Sequence, residues 1–443
     1  MNVRGVRTLV VGMARSGLAC VELLQSHGAQ VRATDSRPEA GAPLDGTGVP
    51  FAVQTPAVFN DCELIVVSPG VPGDLPELQG ARGRGVRVIG EVELAGLFLK
   101  GPVIGVTGSN GKTTTTALTG HILREAGIPV QVGGNIGVAV SAMVASSRDD
   151  QWNVLELSSF QLETIAEFHA AIAVALNVTP DHLDRHKTMA AYSAAKARLF
   201  ETQRAGSFAV LNADDAECVG YAARTVASPV WFSASRAITP GIWIKNGALW
   251  FDGECLMPLA GIPLRGMHNA ENTMAAAAAA RLAGASMPAI ASAVRSFQGV
   301  EHRLEFVRKL RGVSYYNDSK ATNVDATMKA LDAFEGRLFV ILGGKDKDSD
   351  YTALRASLER KAHAVLLIGA AAPKIREQLL ATLGPRLKDC GTLAGAVSEA
   401  YREASEGDTI LLAPACASFD QFDNFEHRGR SFKELVNRLE ARG

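Results

Sequence analysis

The stretch Gly105, Val106, Thr107, Gly108, Ser109, Asn110, Gly111, Lys112, Thr113, Thr114 follows a short β-branched run. It precedes a helix-like segment with Leu118, Ile122, Leu123 and Ala126 on one face and Gly127 as its stop. That order suits a phosphate loop: glycines let backbone N–H groups converge on phosphate oxygens at a helix N-terminus, Lys112 neutralises charge, and the Thr113 hydroxyl can hold Mg²⁺. Val106 stands where the common GxxxxGK[ST] pattern has its first glycine, so the spacing is a variant, but the strand–loop–helix context still predicts ATP binding. Glu156 ends an apolar run, where an unpaired carboxylate is costly, and Leu157-Ser158-Ser159 after it suggests a strand end beside that loop rather than a solvated edge. Asn177 to His186 packs Asp181, His182, Asp184 and His186 behind another apolar run, either as a metal site or as a polar loop. Lys196 shares a helical face with Tyr192 and Phe200. The bland and commoner reading is a snorkelling lysine; the alternative is a desolvated, neutral amine that reacts with CO₂ to give a metal-holding carbamate.

Three further loops could bind ligands. GMARSG (12–17) after a strand, with Asp35 ending the next one, imitates a dinucleotide fingerprint in which Ala14 replaces the middle glycine. It suits NAD(P), a sugar nucleotide or an empty relic of the fold, and Arg15 and Arg37 supply cations. NDSKATN (317–323) and GGKDK (343–347) each follow a strand, where open α/β sheets bind ligands; Lys345 and Lys347 taken singly could equally be solvated charges.

Those loops require parallel sheets to hold them. Short β-branched runs (8–11, 29–34, 64–67, 103–106, 154–157, 171–178, 209–211, 313–316, 338–342, 364–368, 409–412) alternate with longer Ala/Leu-rich stretches throughout. Residues 226–265 carry Trp231, Trp243, Trp250 and Phe251 between the turn pairs Asn246-Gly247 and Asp252-Gly253, which predicts a small antiparallel excursion. An Ala-rich helix over about 269–283 stops at Gly284. The expected architecture is α/β with three domains in series. A Rossmann-like N-terminal domain spans 1–97, and a central ATPase domain spans 98–300 with its phosphate loop on a mainly parallel sheet. A Rossmann-like C-terminal domain spans 301–443, with a hinge near 299–303.

A chain of 443 residues is long enough for about three domains, each with its own core. Lys+Arg 45 against Asp+Glu 46 gives a net charge of −1, which leaves no overall electrostatic footprint for nucleic acid or an anionic membrane. Cys20, Cys62, Cys218, Cys255, Cys390 and Cys416 form no CxxC pair and read as reduced thiols of a cytoplasmic protein. No uncharged apolar run approaches the ~18 residues of a membrane span, and the run at 8–11 leads into a glycine turn rather than a secretory cleavage site.

In order along essentially the whole chain, TGSNGKT (107–113), ELSSFQL (156–162), NVTPDHLDR (177–185), YSAAK (192–196) and HNAEN (268–272) resemble the Mur ligase family. Within it, NDSKATN (317–323), LGG (342–344) and above all PACASFDQFDNF (414–425) look like the members that add D-glutamate to UDP-N-acetylmuramoyl-L-alanine. The resemblance implies ATP-driven amide formation through an acyl phosphate and a tetrahedral intermediate, with ATP and two Mg²⁺ sites. By position it assigns Lys112, Glu156, His182 and Lys196 to catalysis. Thr113 and Glu156 would hold the first Mg²⁺, and Glu156, His182 and a CO₂-derived carbamate on Lys196 the second. ATP would be held by Gly108, Ser109, Asn110, Gly111, Lys112, Thr113, Thr114, Asn269, Asn272, Arg303, Asp318 and Lys320. The uridine substrate would meet Arg15, Ser16, Asp35, Arg37, Ser68, Gly70, Asn135 and His182, and glutamate would meet Thr322, Lys347, Ser418 and Phe425. The partners implied are small molecules only, and the chain is expected to be a monomer. A folylpolyglutamate-type ligase would not need the N-terminal uridine domain, an oxidoreductase would leave Lys112, Glu156 and Lys196 idle, and a regulatory nucleotide-binding module would not need the segment 418–425.

Overall fold

The computed structural model describes residues 2–440, apart from the side chain of Asp184, which belongs to the 177–186 cluster named above. The chain forms two compact units: one from residues 1–178, 188–261 and 271–297, the other from 179–187, 262–270 and 298–443.

In the first unit, five parallel strands lie in the order Phe51–Val53, Gln30–Asp35, Arg7–Val11, Leu64–Val67, Arg87–Gly90. The run 9–11 reads as continuously apolar because both of its faces are covered. Val10 packs with Cys20, Val21 and Leu24 on one side, while Leu9 and Val11 pack with Phe59, Ile65 and Leu78 on the other. The strand ends therefore bring the Gly12 turn, Asp35 and Ser68 to one edge of the sheet.

A second sheet of the same unit has nine strands, in the order Val130–Gly134, Trp152–Glu156, Val103–Thr107, Ile172–Ala175, Phe208–Asn212, Ser228–Ser233, Gly241–Lys245, Ala248–Phe251, Glu254–Pro258. All pairs up to Gly241–Lys245 are parallel, and the last two are antiparallel hairpins. Both hairpin turns, Asn246-Gly247 and Asp252-Gly253, have positive φ throughout, the twist that two-residue hairpins need. The excursion expected over 226–265 is thus the continuation of the main sheet, and Ser228–Ser233 is one of its parallel strands. The turn pairs govern only their own hairpins; the edge of Phe208–Asn212, left open by the rest of the sheet, selects the partner of Ser228–Ser233.

The second unit holds six strands, in the order Glu305–Leu310, Val313–Asn317, Thr409–Leu412, Leu338–Gly343, Ala362–Ile368, Leu387–Gly391. Only the first pair is antiparallel. Leu338, Val340 and Leu342 face one core and Phe339 and Ile341 the other, so this sheet too is covered on both sides. Among the described residues no helix is long and apolar enough to cross a membrane.

Candidate active site

The strand Val103–Thr107 runs directly into the loop 108–111 and the helix Lys112–Glu125. Gly111 is the cap residue of that helix at φ 90°, a conformation that costs an L side chain about 1–2 kcal/mol, and a Cβ there would lie 2.2 Å from Asn272 Oδ1. Only glycine satisfies both constraints. The loop is clamped from the end of the neighbouring strand: Ser109 N–H donates to the Asn177 carbonyl at 2.8 Å, Asn110 N–H donates to Asn177 Oδ1 at 2.9 Å, and Asn177 Nδ2 donates back to the Asn110 carbonyl at 3.0 Å. Lys112 Nζ folds over the loop onto the Gly108 and Ser109 carbonyls at 2.7 and 2.8 Å. Thr113 and Thr114 are buried in the first turn. Thr115 Oγ1 donates to Asn272 Oδ1 at 3.4 Å, which ties the predicted nucleotide residue Asn272 to the same helix.

Lys196 does not snorkel. It is 1% exposed, its Nζ donates to the Gly108 carbonyl at 2.8 Å, and it sits 4.3 Å from the Tyr192 ring centre. Tyr192 OH in turn lies 3.1 Å from Ser109 Oγ. Two lysines, 84 positions apart in the chain (196 − 112), therefore converge on one loop carbonyl.

Glu156 closes the strand Trp152–Glu156, which lies inside the sheet between Val130–Gly134 and Val103–Thr107, with Val106 and Gly134 as its register partners. Its carboxylate is 1% exposed; Oε1 accepts from Asn135 Nδ2 at 2.8 Å, and Oε2 is buried with no hydrogen-bond partner. A buried, half-satisfied carboxylate at the foot of a phosphate loop is expensive unless a cation completes it, so the donor set fits a divalent metal.

Asn135 also lines a cleft of about 810 Å³ at the strand ends of the first sheet, within the usual range of a ligand pocket. Arg15, Ser16, Asp35, Arg37, Ser68 and Gly70 line it too, so all the residues expected around the uridine substrate except His182 share one cavity, together with Gln54 and Gln161. Asp35 organises its floor. Oδ2 accepts from Met13 N–H at 2.7 Å, and Oδ1 accepts from the backbone and Nε of Arg37 at 3.0 and 3.2 Å. Burial pushes this carboxyl upward, but those bonds and the Arg37 charge outweigh it and hold it below the usual carboxylate range. Arg15 donates to the Gly137 carbonyl at 2.8 Å.

In the second unit, His182 sits at φ 54° with Nε2 3.6 Å from Asp181 Oδ2. Asp181 also accepts from Asn323 Nδ2 at 3.1 Å and lies 3.9 Å from Lys347 Nζ. Asp318 is buried at the end of Val313–Asn317. Burial pushes its carboxyl up to about 7, against the pull of Arg303 and the Leu304 N–H. Lys320 Nζ stands 3.7 Å over the Phe425 ring, a cation–π contact, and the Thr322 N–H donates to the Lys320 carbonyl. Asn269 Nδ2 donates to the Arg265 carbonyl at 2.6 Å. Ser418 is buried, with its carbonyl accepting from Gln421 and Phe422 N–H groups.

Three family models match the chain in series: the Mur ligase MurD-like N-terminal domain at 6–90, the Mur ligase middle domain at 106–280, and the Mur ligase glutamate ligase domain at 302–416. The UDP-N-acetylmuramoylalanine–D-glutamate ligase of Solibacter usitatus is 64% identical over 443 residues, covering 100% of both chains. The chain belongs to the Mur ligase family. An identically named ligase from Koribacter versatilis is 49% identical, covering 99% of each chain. The fold is shared with a pseudomurein peptide ligase type C from Methanothermus fervidus (TM-score 0.63, 18% identity, 98% of this chain and 100% of that one). It is also shared with the UDP-N-acetylmuramate–alanine ligase of Thermotoga maritima (TM-score 0.62, 19% identity, 98% and 99%).

Two residues of this Mur ligase that sequence reasoning left out act on the loops. Asn177 was visible only as one polar residue in a polar cluster. Arg428 gave no local signal at all: it is 1% exposed and donates to Ser319 Oγ and to the carbonyls of Ser319, Cys416 and Ala417, at 2.9–3.2 Å. It thereby ties the 317–322 loop to the 414–418 loop. Burial lowers its guanidinium to about 10, so it remains a cation at neutral pH.

Proposed function

We propose that this chain is an ATP-dependent ligase that joins UDP-N-acetylmuramoyl-L-alanine to D-glutamate, giving ADP and phosphate, in the synthesis of peptidoglycan precursors. The observation that carries the reading is the Asn135–Glu156 hydrogen bond. It joins the cleft suited to a uridine nucleotide directly to the carboxylate at the phosphate loop. The relatives that match over the full length carry this activity in their names.

ATP binds with its phosphates on N–H groups of the 108–114 loop other than those of Ser109 and Asn110, which Asn177 holds. Lys112 exchanges its two carbonyl contacts for the β,γ-phosphates. An oxygen of the L-alanyl carboxylate attacks the γ-phosphorus as the bond to ADP breaks, leaving an acyl phosphate, and Lys112 stabilises the spreading charge. The glutamate amine then attacks the acyl carbon. The tetrahedral intermediate expels phosphate, and the amine gives up its proton as the amide forms. Thr113 and Glu156 would hold one Mg²⁺, and Glu156, His182 and a carbamylated Lys196 a second; bound there, the ions neutralise charge on the transferring phosphoryl group. The burial of Lys196 against the Gly108 carbonyl supports the carbamate, because reaction with CO₂ would turn a cation into a ligand at the loop itself.

Asn269, Asn272, Arg303, Asp318 and Lys320 would serve the nucleotide. Lys347 and Thr322 would take one glutamate carboxylate, and Ser418 and Phe425 the other end of the amino acid. The reading carries with it domain limits at 97/98 and 300/301, a cytoplasmic location and a monomeric enzyme. It is tested by phosphate release from ATP and Mg²⁺ with UDP-N-acetylmuramoyl-L-alanine, comparing D-glutamate, L-glutamate and no amino acid. Release only with D-glutamate, with the amide product seen by mass, is expected. Release with L-glutamate alone would change the substrate, and no release from folded, ATP-binding protein would refute the assignment.

A further inference from the structure

Lys347 and Ser418 lie on two loops that follow different strands, Leu338–Gly343 and Thr409–Leu412. Lys345 and Ala417 pair the loops through their backbones, with N–H to carbonyl distances of 2.8 and 3.1 Å. Below that bridge lies a side-chain network centred on Asp346. Asp346 Oδ1 accepts from Tyr351 OH at 2.7 Å and from Ser349 N–H at 3.1 Å, and Oδ2 accepts from Lys374 Nζ at 2.7 Å. Tyr351 OH also lies 3.0 Å from Cys416 Sγ, and both residues are fully buried. Asp346 therefore points inward to the loop that carries Ser418. Its neighbour Lys347 points the other way, to within 3.9 Å of Asp181.

We infer that Asp346, acting through Tyr351 and Lys374, is a positioning residue that sets the spacing between the Lys347 and Ser418 grips and so measures the length of the amino-acid substrate. The inference rests on the function proposed above. Two physical arguments support it. Lys374 neutralises Asp346, so this carboxylate does not compete with the substrate for Lys347 next to it. The Tyr351 hydroxyl couples the two loops through the core, where a misplacement of about 1 Å at either grip weakens binding of a ligand held at both ends. Glutamate and aspartate differ by one methylene, so a loosened spacing should cost discrimination as well as affinity.

The test is steady-state kinetics of wild type, Asp346→Asn, Tyr351→Phe and, as control, Glu359→Gln at an exposed carboxylate of the same unit outside the network, with D-glutamate and D-aspartate. Tyr351→Phe keeps the buried ring and removes one oxygen, so it remains informative if Asp346→Asn folds poorly. Expected are a rise of about tenfold in KM for D-glutamate and a several-fold fall in the preference for D-glutamate over D-aspartate in both network variants. Their kcat and their KM for ATP should stay within about threefold of wild type, and Glu359→Gln should behave as wild type. An active wild type whose Asp346→Asn and Tyr351→Phe forms keep wild-type KM and preference would overturn this inference alone. A wild type without D-glutamate-dependent phosphate release would overturn the functional reading and this inference with it.

Discussion

Asn177→Ala removes the side-chain part of the clamp on the phosphate loop, keeping the bond from Ser109 N–H to the residue 177 carbonyl and leaving every proposed phosphate ligand in place. The side chain contributes two hydrogen bonds, one accepted from Asn110 N–H at 2.9 Å and one donated to the Asn110 carbonyl at 3.0 Å. A net contribution of about 0.5–1.5 kcal/mol for each gives about 1–3 kcal/mol. In wild type this energy is spent before ATP arrives, because the loop is already held in the binding geometry. In the variant the ordering must come out of the binding energy. If all of it falls on binding, the Kd for ATP rises between about 5-fold and about 150-fold. Titration calorimetry with a non-hydrolysable ATP analogue reads this directly. Binding of the uridine substrate is the internal control, since Asn177 is not among the residues of that cleft. A variant that binds ATP within twofold of wild type, with unaltered uridine binding, would refute the clamp.

Lys112→Ala should abolish phosphate release while leaving uridine-substrate affinity unchanged, because Lys112 folds over the phosphate loop and is not among the residues that line the cleft; loss of both would indicate a misfolded protein instead. Lys196→Ala should lose at least about a hundredfold in kcat and recover part of it with added short carboxylates or bicarbonate, and in wild type a carbamate carbon should appear by NMR after ¹³C-bicarbonate labelling. Full activity of Lys196→Ala would sink the carbamate. Asp318 has a folded value of about 7, above the ~3.9 of an unfolded aspartate, so the native state binds the extra proton between the two and stability falls as pH rises through that window. Asp318→Asn should flatten that loss, giving a smaller difference in unfolding free energy between pH 4.5 and pH 8 by urea denaturation, and an unchanged difference would count against the burial argument.

The phosphate loop was legible in the chain itself, because its chemistry is local. A strand, glycines that permit positive φ and a lysine at the first helical position are consecutive residues, and no distant partner is needed to make the pattern. The same holds for the N-terminal turn at Gly12 and for Asp35 and Ser68, each placed by the end of its own strand, and for the hairpins at Asn246-Gly247 and Asp252-Gly253. What required the tertiary structure is everything held by contacts distant in sequence. Lys196 looked like a snorkelling residue because its helix shows only Tyr192 and Phe200; the carbonyl that receives it is at Gly108, 88 positions away. Glu156 showed its strand but not that one oxygen would be met by Asn135 and the other left bare. Ser228–Ser233 joined the parallel sheet because a neighbouring edge was open, which no turn signal encodes. Asn177, Arg428 and the Asp346–Tyr351–Cys416 network read as ordinary polar residues along the chain. Hydrogen bonding has no sequence period, so a buried donor acquires its role only when folding brings one particular acceptor within about 3 Å.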